Sequence, residues 1–504
     1  MQNEEPIPER RASGQPVGSL RLSSSRVGRW IIFSALALLA LAVRLPRLGE
    51  RPMHTDEAIN GYITGDLLAG QSFHYDPRDR HGPSLYLFAK PLALICGAKN
   101  FADLTETELR LTPAIIGSAT ILLLGAGVEL FGFTACLVAA LLFVAAPLPV
   151  YYSRYFIHET LFVAFTLGLI LSGWRALRNS LSGAVWAGLF AALLVNTKET
   201  FVIHFFALGL AAAAWFIVSR EKLPSVKVIG VAFAVFFVAG ILLFTWFGQN
   251  WKALADLFHA VPHLSSRASG EGHQKPFPYY FSLLSPGYVL WPLAILGIAG
   301  AIASLRTSIR AIGISLATYT LAVLLIYSAI PYKTPWLALN IWLPLMLLCG
   351  LGVEGYWKRF AKIGGHVAAI IVIGALLIFL GQRTWVLAFK APADSKNPLA
   401  YAHTVDDLLR LPARVEECAK EKNLKQPLIA VVASDPWPLP WYLRKFPRVG
   451  FWQPGQDPGN ADIYITSAQA SENLEAKLND RFPEFFGLRP EVIVILWPPK
   501  ASSP

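Results

Sequence analysis

Residues 30–48 read WIIFSALALLALAVRLPRL, and after four further residues the polar segment 53–58 reads MHTDEA. The nineteen residues of the first segment are about enough to cross the hydrocarbon core of a bilayer. Asp56 and Glu57 therefore stand just beyond a predicted membrane span. Two adjacent carboxylates are costly there unless water, a cation or a substrate meets them. This junction predicts a membrane protein and marks the first candidate functional residues.

The composition of the whole chain agrees with a membrane protein. Of its 504 residues, 54% are hydrophobic and 15% are charged, whereas soluble domains carry about 25% charged residues. The mean hydropathy is +0.46. Much of the net charge of +11 lies in short connectors between apolar segments, which is typical of membrane orientation signals and does not indicate nucleic-acid binding. The four cysteines have neither metal-site nor disulfide spacing.

Apolar segments long enough to cross a bilayer recur along most of the chain, and eleven membrane spans are predicted. We expect residues 1–29 to form a disordered cytoplasmic tail, residues 30–384 a transmembrane domain with a first outer loop at 49–109, and residues 385–504 a separate domain. The predicted spans are 30–48, 110–130, 133–150, 160–175, 181–197, 200–218, 226–247, 286–305, 309–330, 335–353 and 364–382.

Charge predicts how these spans are oriented in the cytoplasmic membrane. With the N-terminus in the cytoplasm, four of the five inner connectors are basic, as the positive-inside rule requires. The outer connectors then hold almost every unusual polar residue. Residues 83–97 are apolar but short, and a crossing there would invert every later loop, so we expect a helix lying in the membrane interface.

The last 120 residues, 385–504, have a different pattern. Residues 427–434, 461–466 and 491–497 predict buried strands, and residues 406–422 and 471–482 have helical spacing. Alternating strands and helices predict a small α/β domain with a partly parallel sheet. By the span count this domain is extracytoplasmic.

Acidic and basic residues from distant spans gather at the predicted outer face. Each has a simple structural alternative: Asp56 and Glu57 can cap the helix that follows, Arg154 can pair with Glu159, and single cations can anchor helix ends. Lys198 and Glu199 are interpreted as an ordinary interfacial pair. No His pair has zinc-site spacing, so no metal site is predicted. The candidates are Asp56, Glu57, His81, Arg110, Arg154, Glu159 and Lys333.

These residue types together indicate chemistry on a lipid-linked phosphate. A carboxylate can remove a proton from an acceptor hydroxyl. Arginine and lysine can hold a phosphate and stabilise the charge that develops as it leaves. A cavity that holds both and opens to the bilayer would suit a substrate linked to a lipid phosphate.

The order of these motifs resembles that of the GT-C glycosyltransferases, which include protein O-mannosyltransferases and aminoarabinose transferases. The resemblance covers nearly all of the chain after residue 30. It rests on Asp56-Glu57, the segment 81–83 (HGP), Arg110, the segment 151–159 (YYSRYFIHE) and Lys333. Two more specific runs, 435–444 (DPWPLPWYLR) and 449–452 (VGFW), resemble a subfamily described as flippase-activity-associated proteins of archaeal-type N-glycosylation clusters.

The resemblance implies a polyprenyl-phosphate sugar as donor, with inversion at the anomeric carbon. It implies Asp56 as general base, Glu57 as its support and Glu159 as a second acid. The positions that match the donor-phosphate ligands are Arg110, Arg154 and Lys333. This chain has His81-Gly82-Pro83 where aminoarabinose transferases have Glu-Lys-Pro, which removes one phosphate-binding cation and leaves His81 as a weak substitute.

The terminal domain is expected to cover the cavity or bind the acceptor, a glycan, a lipid or a protein. The candidate acceptor-binding residues are His54, Trp437 and Trp441. A divalent ion near Asp56 and Glu159 stays open, although no spacing supports it.

Three functions follow from this pattern. The first is an integral-membrane glycosyltransferase. The alternative is a lipid-linked glycan flippase, or a protein accessory to one, which would bind the lipid phosphate without reaction. A third, an ion-coupled transporter, needs charges midway along spans, whereas the charges here cluster at span ends and no internal repeat is evident.

Overall fold

The computed structural model describes residues 25–77, 80–270, 272–283, 297–300, 302, 305, 309–359, 363–479 and 481–499. Most of the predicted tail at 1–29 and most of the predicted span at 286–305 lie outside these residues.

Helices account for most of the described chain before residue 390, and four shorter helices lie after it. They are α1 Arg26–Arg44, α2 Thr55–Leu68, α3 Ser84–Ile95, α4 Glu106–Ala126, α5 Val128–Phe131, α6 Phe133–Ala145, α7 Pro147–Tyr152, α8 Glu159–Leu177, α9 Leu181–Val195, α10 Phe201–Ser219, α11 Val226–Phe244, α12 Lys252–Ala268, α13 Tyr279–Leu283, α14 Arg310–Ala329, α15 Ala338–Arg359, α16 Ile363–Trp385, α17 Leu411–Glu421, α18 Leu439–Tyr442, α19 Ala468–Asn473 and α20 Glu475–Leu478.

Eight helices in the described residues are long and apolar enough to cross a bilayer, and three shorter apolar helices accompany them. The predicted multi-pass membrane architecture is therefore confirmed. Every predicted span other than 286–305 coincides with a helix, while the number of crossings stays a prediction. The 12 residues of α3 extend about 18 Å, which is too short to cross a core of about 30 Å.

Small residues let the spans pack closely. A Cβ on Gly188 of α9 would lie 2.4 Å from the carbonyl oxygen of Ala232 on α11. A Cβ on Gly350 of α15 would lie 2.4 Å from the carbonyl oxygen of Ala135 on α6. Glycine at such contacts brings helix backbones together, which is how membrane helices gain packing energy. Helix α15 is the most buried of the long spans and forms the centre of the bundle.

The terminal residues form one five-stranded sheet in the order β2-β1-β3-β5-β4, which confirms a small α/β domain. Its strands are β1 Ile429–Val432, β2 Val449–Trp452, β3 Ile463–Thr466, β4 Glu484–Arg489 and β5 Val492–Trp497. Strand β1 is parallel to β2 and β3, and β5 is antiparallel to β3 and β4. The sequence patterns identified β1, β3 and β5 but missed the edge strands β2 and β4.

The sheet domain shares a hydrophobic core with helices α2 to α4. The buried ring of Trp441 lies where a side chain on Gly61 of α2 would have to stand, and its Nε1 donates to Glu106 at 2.6 Å. The Arg444 guanidinium stacks 3.8 Å from that ring and donates to the carbonyl of Leu104 at 2.8 Å. We call the end of the bundle that carries this domain the domain side.

Candidate active site

The first turn of α2 begins with a capping box. His54 accepts the N–H of Asp56 at its Nδ1, 3.0 Å away, and Glu57 accepts the N–H of His54 at 3.2 Å. These contacts satisfy backbone donors that every helix N-terminus exposes. The Nε2 of His54 lies 3.0 Å from the carbonyl of Tyr401, so Nε2 carries the proton and the ring is neutral. Burial lowers the pKa of His54 below its ordinary value of 6.5, although nearby Asp56 and Glu57 oppose this.

Glu57 turns away from solvent into a fully buried ion cluster. Its carboxylate accepts two bonds of 2.8 Å from Arg110, one of 3.3 Å from Arg51 and one of 2.8 Å from the Phe156 N–H. Burial raises the pKa of Glu57, but Arg110 and Arg51 outweigh burial and lower that pKa to about 2. A buried carboxylate held in this way stays ionised and is a structural counter-ion.

Arg110 is fully buried and its donors are committed within the fold. Besides Glu57 it reaches three backbone carbonyls, those of Leu48 at 2.7 Å, Arg51 at 2.9 Å and Pro52 at 3.2 Å. The sequence pattern suggested a phosphate ligand here, but the structure places Arg110 behind the helix, where it holds the first outer segment against α4. A buried guanidinium needs such partners because its desolvation is expensive.

Asp56 points in another direction, because successive residues on a helix are about 100° apart. Its side chain is 46% exposed, and within the described residues no donor hydrogen-bonds its carboxylate. Asp56 lines a cavity of about 320 Å³ on the domain side. The polar and aromatic lining includes Asp56, Asn60, His81, His158, Glu159, Lys198, Glu199, Tyr327, Tyr332 and Trp336. We call this space the Asp56 cavity.

Glu159 and Lys198 form a pair in the lining of the Asp56 cavity. The Lys198 ammonium forms an ion pair with the Glu159 carboxylate. Glu159 begins α8, and Lys198 lies in the turn between α9 and α10. Sequence reasoning treated Lys198 as an ordinary interfacial lysine. The adjacent Glu199, in a predicted outer connector, was the available signal that this turn lines the cavity.

His81 and Glu199 form the second polar pair of the cavity. The Nδ1 of His81 lies 2.7 Å from the Glu199 carboxylate, which also accepts the Tyr75 hydroxyl at 2.9 Å. Burial raises the pKa of Glu199, but His81 and Tyr75 outweigh burial and lower that pKa to about 2. The neighbouring His158 is buried, and burial together with His81 keeps its pKa well below the usual range. His158 is therefore neutral.

Two short segments close one wall of the cavity. An antiparallel bridge joins Gln274 to Tyr332, and the Lys333 N–H donates to the carbonyl of His273 at 3.1 Å. The Lys333 ammonium is buried and donates to the carbonyls of Lys275 at 3.0 Å and Ile330 at 2.5 Å. Lys333 thus lies beside a cavity wall rather than on it.

The remaining predicted site residues lie outside the cavity. The Arg154 guanidinium donates to the carbonyls of Arg44, Pro46 and Arg47. The Trp437 ring packs 6.2 Å from that of Tyr62, beside the Trp441 contact that fixes the terminal domain. These arginine and tryptophan side chains make tertiary contacts outside the Asp56 cavity, as buried or partly buried polar groups require.

The donor set of the cavity does not match a metal centre. In the part of the chain that the structure describes, no group of three His, Cys, Asp or Glu side chains is arranged to hold a metal ion. Glu159 is already paired with Lys198, and a cation between Asp56 and Glu159 would have to displace that ammonium. The arrangement instead offers a free carboxylate, an ammonium and aromatic walls, which suit an anionic, partly apolar substrate.

Comparison with known proteins gives a fold but no sequence family. No family model matches the chain. Over 93 residues, 18% of the chain, it is 30% identical to the manganese transport system membrane protein MntB of Synechocystis sp., and it spans 29% of that protein. A match of this extent carries no function to the chain.

Solved structures match nearly the whole chain. ArnT from Cupriavidus metallidurans, solved with undecaprenyl phosphate, superimposes with a TM-score of 0.65 over 94% of this chain and 98% of ArnT, at 14% identity. The archaeal oligosaccharyltransferase AglB from Archaeoglobus fulgidus, solved with an inhibitory peptide and a dolichol-phosphate, gives 0.57 over 91% of this chain and 74% of AglB, at 12% identity. The chain therefore has the fold of the GT-C membrane glycosyltransferases.

Proposed function

We propose that this protein is a glycosyltransferase that moves a sugar from a polyprenyl-phosphate donor to an acceptor hydroxyl in the Asp56 cavity. The observation that carries the proposal is the contrast within one helical turn, where Glu57 is sealed and Asp56 is half-exposed to a cavity that also holds a lysine. A carboxylate without a hydrogen-bonded partner, facing a substrate-sized space, can act as a general base.

In the proposed reaction Asp56 removes the proton from the acceptor hydroxyl as its oxygen attacks the anomeric carbon of the donor sugar. The bond between that carbon and the phosphate oxygen breaks on the opposite face, which inverts the anomeric centre. Polyprenyl phosphate leaves with the bonding electron pair, and Asp56 keeps the proton until solvent takes it. Glu57 takes no direct part, since its carboxylate is fully buried.

Lys198 is the proposed ligand of the donor phosphate. It is the ammonium among the residues that line the cavity, and His81 stands beside Glu199 in the same wall. A phosphate that enters would compete with Glu159 for Lys198, and neutralising its charge makes it a better leaving group. Lys198 would thereby replace the cation that the segment 81–83 lacks relative to aminoarabinose transferases.

The alternative, a flippase or flippase-accessory protein, draws its support from the runs 435–444 and 449–452. In this fold the first of these runs docks the terminal domain through Trp441 and Arg444, away from the cavity. A motif that serves packing does not favour flipping over transfer. We therefore propose transfer rather than flipping. We attribute the resemblance of the run 435–444 to its role in docking the terminal domain.

The position in the cell follows from the charge of the connectors. We propose a multi-pass protein of the cytoplasmic membrane with a cytoplasmic N-terminus, so that the Asp56 cavity and the terminal domain face outward. The donor would then be an undecaprenyl- or dolichyl-phosphate sugar of the outer leaflet, and the acceptor a glycan, lipid or protein. The reaction as written uses no divalent ion.

The test follows a radiolabelled hexose from undecaprenyl phosphate into acceptors in membranes that contain the protein. Asp56→Asn removes the base but keeps the shape, and we expect transfer to fall about 10²- to 10⁴-fold. The matched control is Asp66→Asn, at the far end of the same helix and outside the cavity, which should keep wild-type transfer. Undiminished transfer by Asp56→Asn at normal expression would exclude Asp56 as the base and leave the non-catalytic alternative.

A further inference from the structure

A second polar pocket, of about 540 Å³, lies on the domain side where two membrane helices end. One wall is the segment after α1 and the other is the segment after α16. Its charged lining residues are Arg47, Glu50, Arg51, Arg154, Lys390, Asp394 and Asp406. Among the residues that the structure describes, it shares none of its lining with the Asp56 cavity.

The inner part of this pocket has an excess of positive charge. Arg154 is 7% exposed, and within the described residues its guanidinium donates only to backbone carbonyls and stacks 4.4 Å from the Phe389 ring. Arg51, also 7% exposed, shares the one carboxylate of Glu57 with Arg110. Burial, with Arg51 and Arg110 nearby, lowers the pKa of Arg154 to about 9, as expected where positive charges crowd together.

The exposed lining of the pocket carries charge of both signs, and it includes Lys390 beside carboxylates that a cation could contact. Asp394 and Asp406 are both exposed, and in the described residues neither carboxylate takes part in an ion pair. Glu50 is exposed as well but is paired with Arg47 at 2.6 Å. A ligand with an anion at its inner end and a cation at its outer end would therefore meet complementary charge at both ends.

The surroundings of the pocket suit a lipid. Helices α1 and α16 both pack against α6, and both present mostly exposed apolar side chains along their length. At the level of the pocket, Leu45 is 39% exposed and Trp385 is 58% exposed. Tryptophan is enriched where the bilayer meets water. Acyl chains could therefore lie along the bundle below the pocket while the head group occupies it.

We propose that this pocket binds the head group of a phosphatidylethanolamine molecule, with its phosphodiester beside Arg154 and Lys390 and its ammonium beside Asp394 and Asp406. The phosphodiester offers oxygen acceptors to the guanidinium and to the lysine. The primary ammonium offers N–H donors to the carboxylates, which the quaternary ammonium of phosphatidylcholine lacks. The site is independent of the transfer reaction and holds one lipid where α1 and α16 end.

The test measures lipid retained by the purified full-length protein in native mass spectrometry, after exchange into detergent with equimolar phosphatidylethanolamine, phosphatidylglycerol and phosphatidylcholine. We expect one retained phosphatidylethanolamine, favoured about tenfold over either competitor. The double variant Arg47→Gln/Lys390→Gln, at exposed positions, should lower retention about tenfold, and Asp394→Asn/Asp406→Asn should abolish the preference over phosphatidylcholine. Lys222→Gln, an exposed lysine outside the pocket, is the control and should retain the wild-type amount.

Two outcomes would overturn the proposal. Retention that is equal in the wild type and in Arg47→Gln/Lys390→Gln would exclude the pocket as the site. A preference for phosphatidylglycerol that survives Asp394→Asn/Asp406→Asn would show that an anionic lipid binds instead. Soluble phosphoethanolamine, added in excess, should fail to displace the lipid, because the head group without acyl chains lacks the apolar contacts. Both outcomes are read without any transfer assay, so they are distinguishable from failure of the proposed function.

Discussion

Asp56 and Glu57 are neighbours in sequence, yet one is half-exposed and the other fully buried. Glu57 is fully buried between Arg110 and Arg51, whereas Asp56 is 46% exposed and faces a cavity with Lys198. The helix geometry that separates adjacent side chains by about 100° turns one carboxylate into the fold and the other toward the Asp56 cavity. Two adjacent carboxylates thus have different surroundings on the two sides of α2, one buried in an ion cluster and one lining the Asp56 cavity.

Removing the buried carboxylate should give the largest change in stability. Glu57→Ala leaves the Arg110 and Arg51 guanidiniums without their shared counter-ion, and we expect a loss of about 3–5 kcal/mol in the free energy of unfolding. Glu50→Ala, which breaks an exposed pair in the same segment, should cost at most about 1 kcal/mol. Thermal unfolding in detergent measures both. Equal stability of the two variants would show that the Glu57 cluster is not a structural centre.

Removing the cavity cation should lower turnover, and a double variant separates this effect from the stability lost when its buried partner is unpaired. Lys198→Met takes away the proposed phosphate ligand, and we expect kcat/KM for the lipid donor to fall about 10- to 150-fold, corresponding to about 1.5–3 kcal/mol. The buried partner Glu159 would be left unpaired, so Lys198→Met/Glu159→Gln separates lost binding from lost pairing. Lys99→Met, at an exposed lysine, is the control. A donor KM that does not rise in the double variant would exclude Lys198 as the phosphate ligand.

A substitution where the terminal domain contacts α2 should lower the free energy of unfolding less than the loss of Glu57 does. Trp441→Phe removes the indole donor to Glu106 but keeps an aromatic ring against Gly61, and we expect a loss of about 1–2 kcal/mol in the unfolding free energy. Limited proteolysis should then cut the chain faster between residues 391 and 404 while transfer per intact molecule is kept. An unchanged cleavage rate would show that the Trp441 contact does not hold the domain.

Acid should produce the smallest effect. It should act on His54, the N-cap of the helix that carries Asp56 and Glu57. The pKa of His54 is lowered in the folded protein, so the unfolded chain binds a proton more readily. The stability contributed by neutral His54 is therefore lost as the pH falls below 6.5. Between about pH 7.5 and about pH 5 we expect the melting temperature to fall by roughly 1–3 °C more in the wild type than in His54→Asn. An identical pH dependence in both would exclude His54 from this effect.

The sequence predicted the architecture well, because long apolar segments and connector charge are local signals. The predicted spans that lie in the described residues coincide with helices, and three of the five strands follow from buried apolar runs. Strand β2 was missed because it is a short edge strand that contains Gly450 and is only partly buried. Strand β4 was missed because Phe485 is exposed while Phe486 is buried, so its apolar pattern does not mark a core strand.

The candidate site was harder to predict, because tertiary pairing decides which charges reach the cavity. The predicted topology puts Asp56, Glu159 and His81 at the outer face of the membrane. In the structure all three line one cavity. Nothing in the sequence indicated that Arg110 pairs with Glu57 rather than with substrate, since that contact joins positions 53 residues apart. Lys198 was not predicted to be a site residue for the same reason, because its partner Glu159 lies on another helix.

The division of roles between Asp56 and Glu57 is tested most directly by the transfer rate per folded molecule of Asp56→Asn and Glu57→Gln, measured side by side with the same lipid donor. The folded fraction of each variant is set by size-exclusion chromatography before the assay. We predict that Asp56→Asn folds normally and transfers at least about 100-fold more slowly, whereas Glu57→Gln yields less folded protein with a nearly normal rate per folded molecule. The reverse result, a folded but inactive Glu57→Gln beside an active Asp56→Asn, would contradict the account.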